Sequence, residues 1–215
     1  MWNSPAMIST HLASLANFTM KRSRATAYCL TWNWASCGLR SVQTARTALA
    51  FRLLTLLGTR VHETLQAKWS DIDLSAATWT DPAEITKPNR AFVIYLPTQA
   101  VGMLQALPRW QGIDYVFSPN GRSAPGRHLN TAAENVVKAA GVKGWTPHDL
   151  RRTFRSGLDR LGIEPHVAEL CLNHARPALE RTYSPNVNVY APKLRAAWQA
   201  YADHVHALIA RKAEA

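Results

Sequence analysis

Four side chains between Thr146 and Tyr183 have types and spacings suited to phosphoryl chemistry: His148 and Arg151 stand three residues apart, and His174 stands nine residues before Tyr183. Residues three apart share one face of a helix, so one imidazole and one guanidinium address the same object. The stretch has no carboxylate pair, and Cys171 with His174 makes two ligands where a metal site needs more. The set suits a phosphate attacked by a tyrosine. Such a transfer needs a nucleophile, donors on the non-bridging oxygens and an acid for the leaving hydroxyl. Arg60 and Arg151 are the natural clamps, because the guanidinium fork binds phosphate and keeps its charge. His148 and His174 can donate to the same oxygens or manage the proton of Tyr183, whose phenol ordinarily titrates near about 10. Lys87 can protonate the departing 5′ oxygen. Each also has an ordinary reading: a helical arginine is commonly a surface residue, as Arg152 and Arg155 suggest, and His148 can be a helix-start neighbour. His204 and His206 lie two apart and face different ways.

The elements that must carry these groups are legible as periodicity. Thr146, Pro147 and Asp149 write a helix start. A second helix opens at Pro165 and ends near His174. Upstream, Ala45, Ala48, Leu49, Leu53, Leu56 and Leu57 recur at helical spacing from about Ser41, and Gly58 stops the run. A short helix follows from Arg60 to Lys68, with Val61 and Leu65 inward, Glu63 three residues after Arg60, and Trp69 closing it. WSDIDLSAATW, ITK and AFVIYLP read as a small antiparallel sheet, with Lys87-Pro88-Asn89-Arg90 as a hairpin turn that lifts Lys87 over a ligand. Residues 98 to 107 read as helix, 115 to 118 as a short extended piece, 120 to 127 as loop and 130 to 140 as helix. After a loop-like SPNVNVYAP, Lys193 to Arg211 forms an amphipathic helix with Leu194, Trp198, Tyr201, Val205, Leu208 and Ile209 on one stripe. Six or seven helices around one small sheet make a mostly α fold with a minor β component.

The chain of 215 residues carries a formal net charge of +11, which points to a polyanion such as nucleic acid. Residues 1 to 62 hold seven Lys or Arg and no acid, so most of the excess lies at the front. That front, up to residue 40, lacks a sustained period and reads as an irregular basic leader, either an arm on DNA or a segment that does not fold. Cys29, Cys37 and Cys171 are odd in number and form no CxxC, which fits a reducing compartment. No stretch has the length of a signal peptide core or membrane span. A cytoplasmic location is expected.

Taken together, the boxes resemble a known family. GTRVHETLQAKWSDIDL is similar to the first arginine box of the tyrosine recombinases, or phage integrases, in which an acid follows the Arg by three. ITKPNRAFVIYLP resembles their lysine hairpin, HDLRRTF their His-x-x-Arg box, LCLNH their Leu-x-x-His box and ERTY their nucleophile segment. The phrases TPHDLRRTF, LNH and LRAAWQAYADHV look closest to integrases of prophages and genomic islands, and the likeness covers about residues 43 to 210.

The resemblance implies the catalytic-domain fold over 41 to 215 and a catalytic set of Arg60, Lys87, His148, Arg151, His174 and Tyr183. Tyr183 would form a 3′-phosphotyrosyl link, Lys87 would act as general acid, and no metal or cofactor would be required. Tyr190 is the rival nucleophile, sixteen residues from His174 rather than nine. The implied partner is double-stranded DNA, held by a homo-oligomer, a tetramer in the family, to which the C-terminal helix contributes; no membrane and no small-molecule substrate are expected. The family's arm-binding and core-binding domains have no counterpart here, so the expectation is an isolated catalytic domain truncated at its N-terminus. Three functions follow: site-specific recombination by strand cleavage and rejoining, a silent remnant that binds DNA or a full-length integrase, and nicking and rejoining of the type IB topoisomerase kind.

Overall fold

A computed structural model of the chain describes residues 42–121, 146–174 and 187–213. The leader 1–40, most of the 120–127 loop, the helix expected over 130–140 and Tyr183 lie outside the described residues. The central element is α1 (Val42–Leu57), where Ala50, Phe51, Leu53, Leu54, Leu56 and Leu57 are buried on nearly every side. A helix apolar all round belongs in the middle of a domain. Gly58 ends it at φ 66° and bonds back to the Leu54 carbonyl at 3.1 Å. Arg46, also buried in α1, donates to the carbonyls of Val116 and Pro108 and lies 5.2 Å over the Trp110 ring. One of the seven front-end cations therefore serves the core and is closed to a polyanion.

Next comes α2 (Val61–Leu65), shorter than the expected Arg60 to Lys68. The chain leaves the helix because Lys68 pairs with Tyr115 in an isolated bridge, Trp69 N–H donates to the Asp114 carbonyl at 2.8 Å, and Val116 N–H donates to Ala67 at 3.0 Å. Strands β1 (Ile72–Asp73), β2 (Thr78–Asp81) and β3 (Phe92–Tyr95) form an antiparallel sheet in the order β1-β2-β3, with Trp79 opposite Ile94. ITK is not a strand. Pro82 has no N–H to extend the ladder, and Ala83–Ile85 coil into a 3-10 turn closed by Ile85 N–H to Pro82 and Thr86 N–H to Ala83. The hairpin connection is therefore the longer segment 82–91. Alternation along β2 points Trp79 and Asp81 inward together, which buries a carboxylate in the core.

α3 (Thr98–Gln105) follows the sheet. α4 (His148–Arg160) and α5 (Pro165–Cys171) lie at the expected places, and Thr146 donates to Asp149 Oδ2 through both N–H and Oγ1 at 2.9 Å. The last element, α6 (Ala191–Ala213), begins two residues before the expected Lys193, directly from a 3-10 turn at Val187–Tyr190. Leu194, Trp198, Tyr201 and Val205 are buried in the chain's own core, and only at Leu208 does the stripe become half exposed. Trp198 Nε1–H donates to the Leu57 carbonyl at 3.1 Å, and Tyr201 meets Phe154 edge-on at 4.7 Å. The described residues thus form a mostly helical domain with a three-stranded antiparallel sheet. Among them no helix is long and apolar enough to cross a membrane.

Candidate functional site

Two chain reversals position the site. At the first, Gly58 adopts the left-handed conformation and the next turn delivers Arg60 to the start of α2. Glu63, buried on α2, accepts the Arg60 backbone N–H at 2.9 Å and Arg60 Nη1 at 2.7 Å. The acid three residues on thus satisfies an orphan donor at the helix start and orients the guanidinium. Thr59 and Thr64 brace the same corner through their hydroxyls at 2.6 Å.

At the second reversal, α5 ends in a Schellman motif. Asn173 N–H donates to Leu170 at 3.0 Å, His174 N–H donates to Glu169 at 3.1 Å, and Asn173 sits at φ 50°. Asparagine tolerates that backbone better than other residues with a side chain. His174 emerges just past the helix, its Nδ1 against Glu169 Oε2 at 2.5 Å, while Glu169 Oε1 takes Arg155 Nε at 2.7 Å. With Nδ1 held in this way, Nε2 is the ring nitrogen left to meet a ligand.

Arg151 joins the two reversals. From the first turns of α4, its Nη1 donates to the Gly58 carbonyl at 2.5 Å and its Nη2 donates to the Leu172 carbonyl. Each anchor lies two residues before a predicted site residue, Gly58 before Arg60 and Leu172 before His174. Two of the five N–H donors of the guanidinium are used this way. Burial, and secondarily the charge of Arg60, push its pKa down to about 10, so it stays protonated at neutral pH. His148, one turn earlier on α4, has its pKa lowered by partial desolvation and by Arg152 and Arg151. An imidazole so placed is neutral more of the time than a free one.

Lys87 is exposed on the 82–91 connection, in a turn closed by Asn89 N–H to the Thr86 carbonyl at 3.0 Å. Arg90 of the same turn reaches Asn173 Oδ1 and the His174 carbonyl, each at 3.0 Å. Arg60, Arg151 and His174 are thus connected through short bonded paths. His148 lies on the helix of Arg151, and the turn of Lys87 is tied to the segment of His174. Tyr183 lies outside the described residues. Tyr190 packs edge-on against His166 at 5.6 Å, at the opposite end of α5. His166 and His174 are eight residues apart, about 12 Å at the helical rise.

Several residues that shape the site were not singled out by type and spacing. Asn173 carries a signal, an asparagine just past an apolar helical run. Glu169 and Arg90 carry none, because their partners are set by tertiary packing. Asp81 is the most unusual of them. Neither carboxylate oxygen has a hydrogen-bond partner among the described residues, and burial together with the charges of Glu63 and Asp71 raises its pKa to about 8.

Residues 34–187 match the phage integrase family. The chain is 33% identical over 171 residues to the prophage integrase IntZ of Escherichia coli strain K12, an alignment covering 75% of this chain and 40% of that protein. The chain therefore spans well under half the length of this relative. Among solved structures, the integrase of mycobacterium phage Brujita superposes with a TM-score of 0.59 at 22% identity, over 72% of this chain and 51% of that one. The XerH site-specific recombinase bound to its difH substrate superposes with a TM-score of 0.56 at 19% identity, over 80% and 50% respectively.

Proposed function

The chain belongs to the phage integrase family, and from that premise we propose that it cleaves and rejoins double-stranded DNA at specific sites through a 3′-phosphotyrosyl intermediate. The observation that carries the reading is the bracketing of Arg151 by the carbonyls of Gly58 and Leu172. It supports the reading because one guanidinium, protonated at neutral pH, is bonded to the carbonyls two residues before Arg60 and two before His174, an arrangement suited to a phosphate with charge building on its non-bridging oxygens.

In the proposed step the neutral imidazole of His148 takes the proton of the Tyr183 phenol as the phenol oxygen bonds to phosphorus. The bond from phosphorus to the 5′ oxygen breaks, and Lys87 supplies the proton of the leaving 5′ hydroxyl. Arg60, Arg151, His148 and His174 hold the pentacoordinate phosphorus. Attack by the 5′ hydroxyl of a second strand reverses the step, with the bond energy retained in the phosphotyrosine. Tyr183 is favoured over Tyr190 because Tyr190 packs on His166, away from His174. The XerH site-specific recombinase of like fold is bound to its difH substrate; here the partner would be double-stranded DNA. Assembly would be a homo-oligomer, a tetramer on two duplexes, with the last turns of α6 beyond Val205 offering the apolar contact, since the rest of that stripe is covered by the chain's own core.

Covalent trapping tests the reading. Duplexes tiled across the junctions of the element carrying the gene, each with a 5′-bridging phosphorothiolate, are incubated with the protein and with Tyr183→Phe, then run on a denaturing gel. A shifted band that requires Tyr183 is the expected result. DNA binding with no band on any duplex would refute cleavage and leave a DNA-binding role, and relaxation of supercoiled plasmid without recombinant product would favour a topoisomerase-like activity.

A further inference from the structure

The connection from β2 to β3 is more than a flexible carrier for Lys87. Thr86 closes it into a ring: its hydroxyl donates to the Arg90 carbonyl at 2.7 Å and accepts the Arg90 N–H at 3.1 Å, while its carbonyl accepts Asn89 N–H at 3.0 Å. Pro88 has a fixed φ, and Asn89 sits at φ 49°. Lys87 therefore moves with Arg90 rather than independently of it.

The ring is in turn held across the molecule. Arg90 Nε donates to Asn173 Oδ1 and Nη2 donates to the His174 carbonyl, both at 3.0 Å. A planar guanidinium gripping two consecutive residues fixes distance and orientation together, as one point of contact would not. Packing does little of this work, because a groove of about 160 Å³, lined in part by Arg90, Phe92, Tyr95, Leu170, Asn173 and Leu194, lies between β3 and the end of α5. We propose that Arg90 is a positioning residue that latches the Lys87 turn to the Asn173–His174 segment, so that the acid for the leaving oxygen and His174 share one frame. This rests on the reading of Lys87 as general acid.

Arg90→Met keeps the length of the side chain and removes both donors; Lys87→Ala is the comparison. Sulfur in the 5′-bridging position leaves without a proton, so it bypasses the acid. Arg90→Met is expected to slow cleavage of an ordinary phosphodiester by about 10²-fold, the low end of a general acid's contribution, and to approach the wild-type rate on the phosphorothiolate, as Lys87→Ala does. Where sulfur rescues Lys87→Ala, equal loss by Arg90→Met on both substrates, or no loss on either, overturns the proposal. Hydrogen exchange on the same proteins separates this from the functional reading. Arg90→Met is expected to speed exchange at residues 86–91 and 172–174 and leave α1 and α6 unchanged, whereas unchanged exchange at the turn overturns the latch even if no duplex is cleaved. If the exchange changes but Lys87→Ala is not rescued by sulfur, the general-acid reading fails and the latch stands.

Discussion

Asp81 offers the sharpest test of the energetics. It is buried with neither oxygen hydrogen-bonded among the described residues, and its carboxyl is raised from 3.8 to about 8 by burial and by Glu63 and Asp71. The folded state therefore holds this group neutral, while the unfolded chain ionises it near 3.8. Below that pH both states are protonated and there is no penalty. Between there and about 8 the unfolded state gains about 1.4 kcal/mol per pH unit, and above 8 the penalty levels off. At pH 7 the group destabilises the fold by about 4 kcal/mol, and at pH 5 by about 2 kcal/mol. Asp81→Leu, which replaces a carboxyl group without a hydrogen-bond partner among the described residues by an apolar side chain of like branching, is expected to be more stable than wild type at pH 7. Its advantage should shrink by about 2 to 3 kcal/mol on going to pH 5. Urea unfolding followed by tryptophan fluorescence at pH 5, 6, 7 and 8 measures the difference, and titrations common to both proteins cancel in it. Asp81→Asn should flatten the profile in the same way while leaving an unpaired amide. A difference between wild type and Asp81→Leu that does not vary with pH would refute the argument.

Glu63→Gln removes a like charge from Asp81 and the charged anchor of Arg60; the Asp81 pKa read by carbon NMR should fall towards its ordinary value, and the yield of covalent adduct should drop while the fold persists. Gly58→Ala places a methyl 2.3 Å from the Phe154 ring at a left-handed φ of 66°. It should lose about 2 to 5 kcal/mol in chemical denaturation, and the adduct should decline with it because the carbonyl that holds Arg151 moves. Trp198→Phe leaves the buried Leu57 carbonyl unpaired and should lose about 1 to 3 kcal/mol with a matching drop in Tm.

What was legible in the sequence was local. Glu63 stands three residues from Arg60 and Asp149 three from Thr146, so their bonds follow from helix geometry, and the extent of α1 and the starts of α4 and α5 follow from capping and periodicity. The stripe on α6 was visible too, although periodicity alone cannot say whether a stripe faces its own core or a neighbour. ITK looked like a strand because Ile and Thr favour strands, yet Pro82 withholds the donor that would extend one. Asp81 escaped notice although Trp79, two residues before it, marked the inward face. Arg90 and Asn173 are 83 residues apart, and no spacing rule reaches that far. Tyr183 carries its reading through the resemblance and through its distance from His174, because its segment lies outside the described residues.

The hydrogen bond from Trp198 to Leu57 spans 141 residues and ties the last helix to the first described one. During synthesis α1 leaves the ribosome long before α6, so its apolar flank must wait uncovered until nearly the whole chain has been made. The core that α1 and α6 share therefore closes late in synthesis. A translation stop between His174 and Ala191 would leave a chain that has every arginine and histidine of the site but lacks the helix whose Leu194, Trp198, Tyr201 and Val205 complete the core, which makes such fragments targets for proteolysis rather than competitors for DNA.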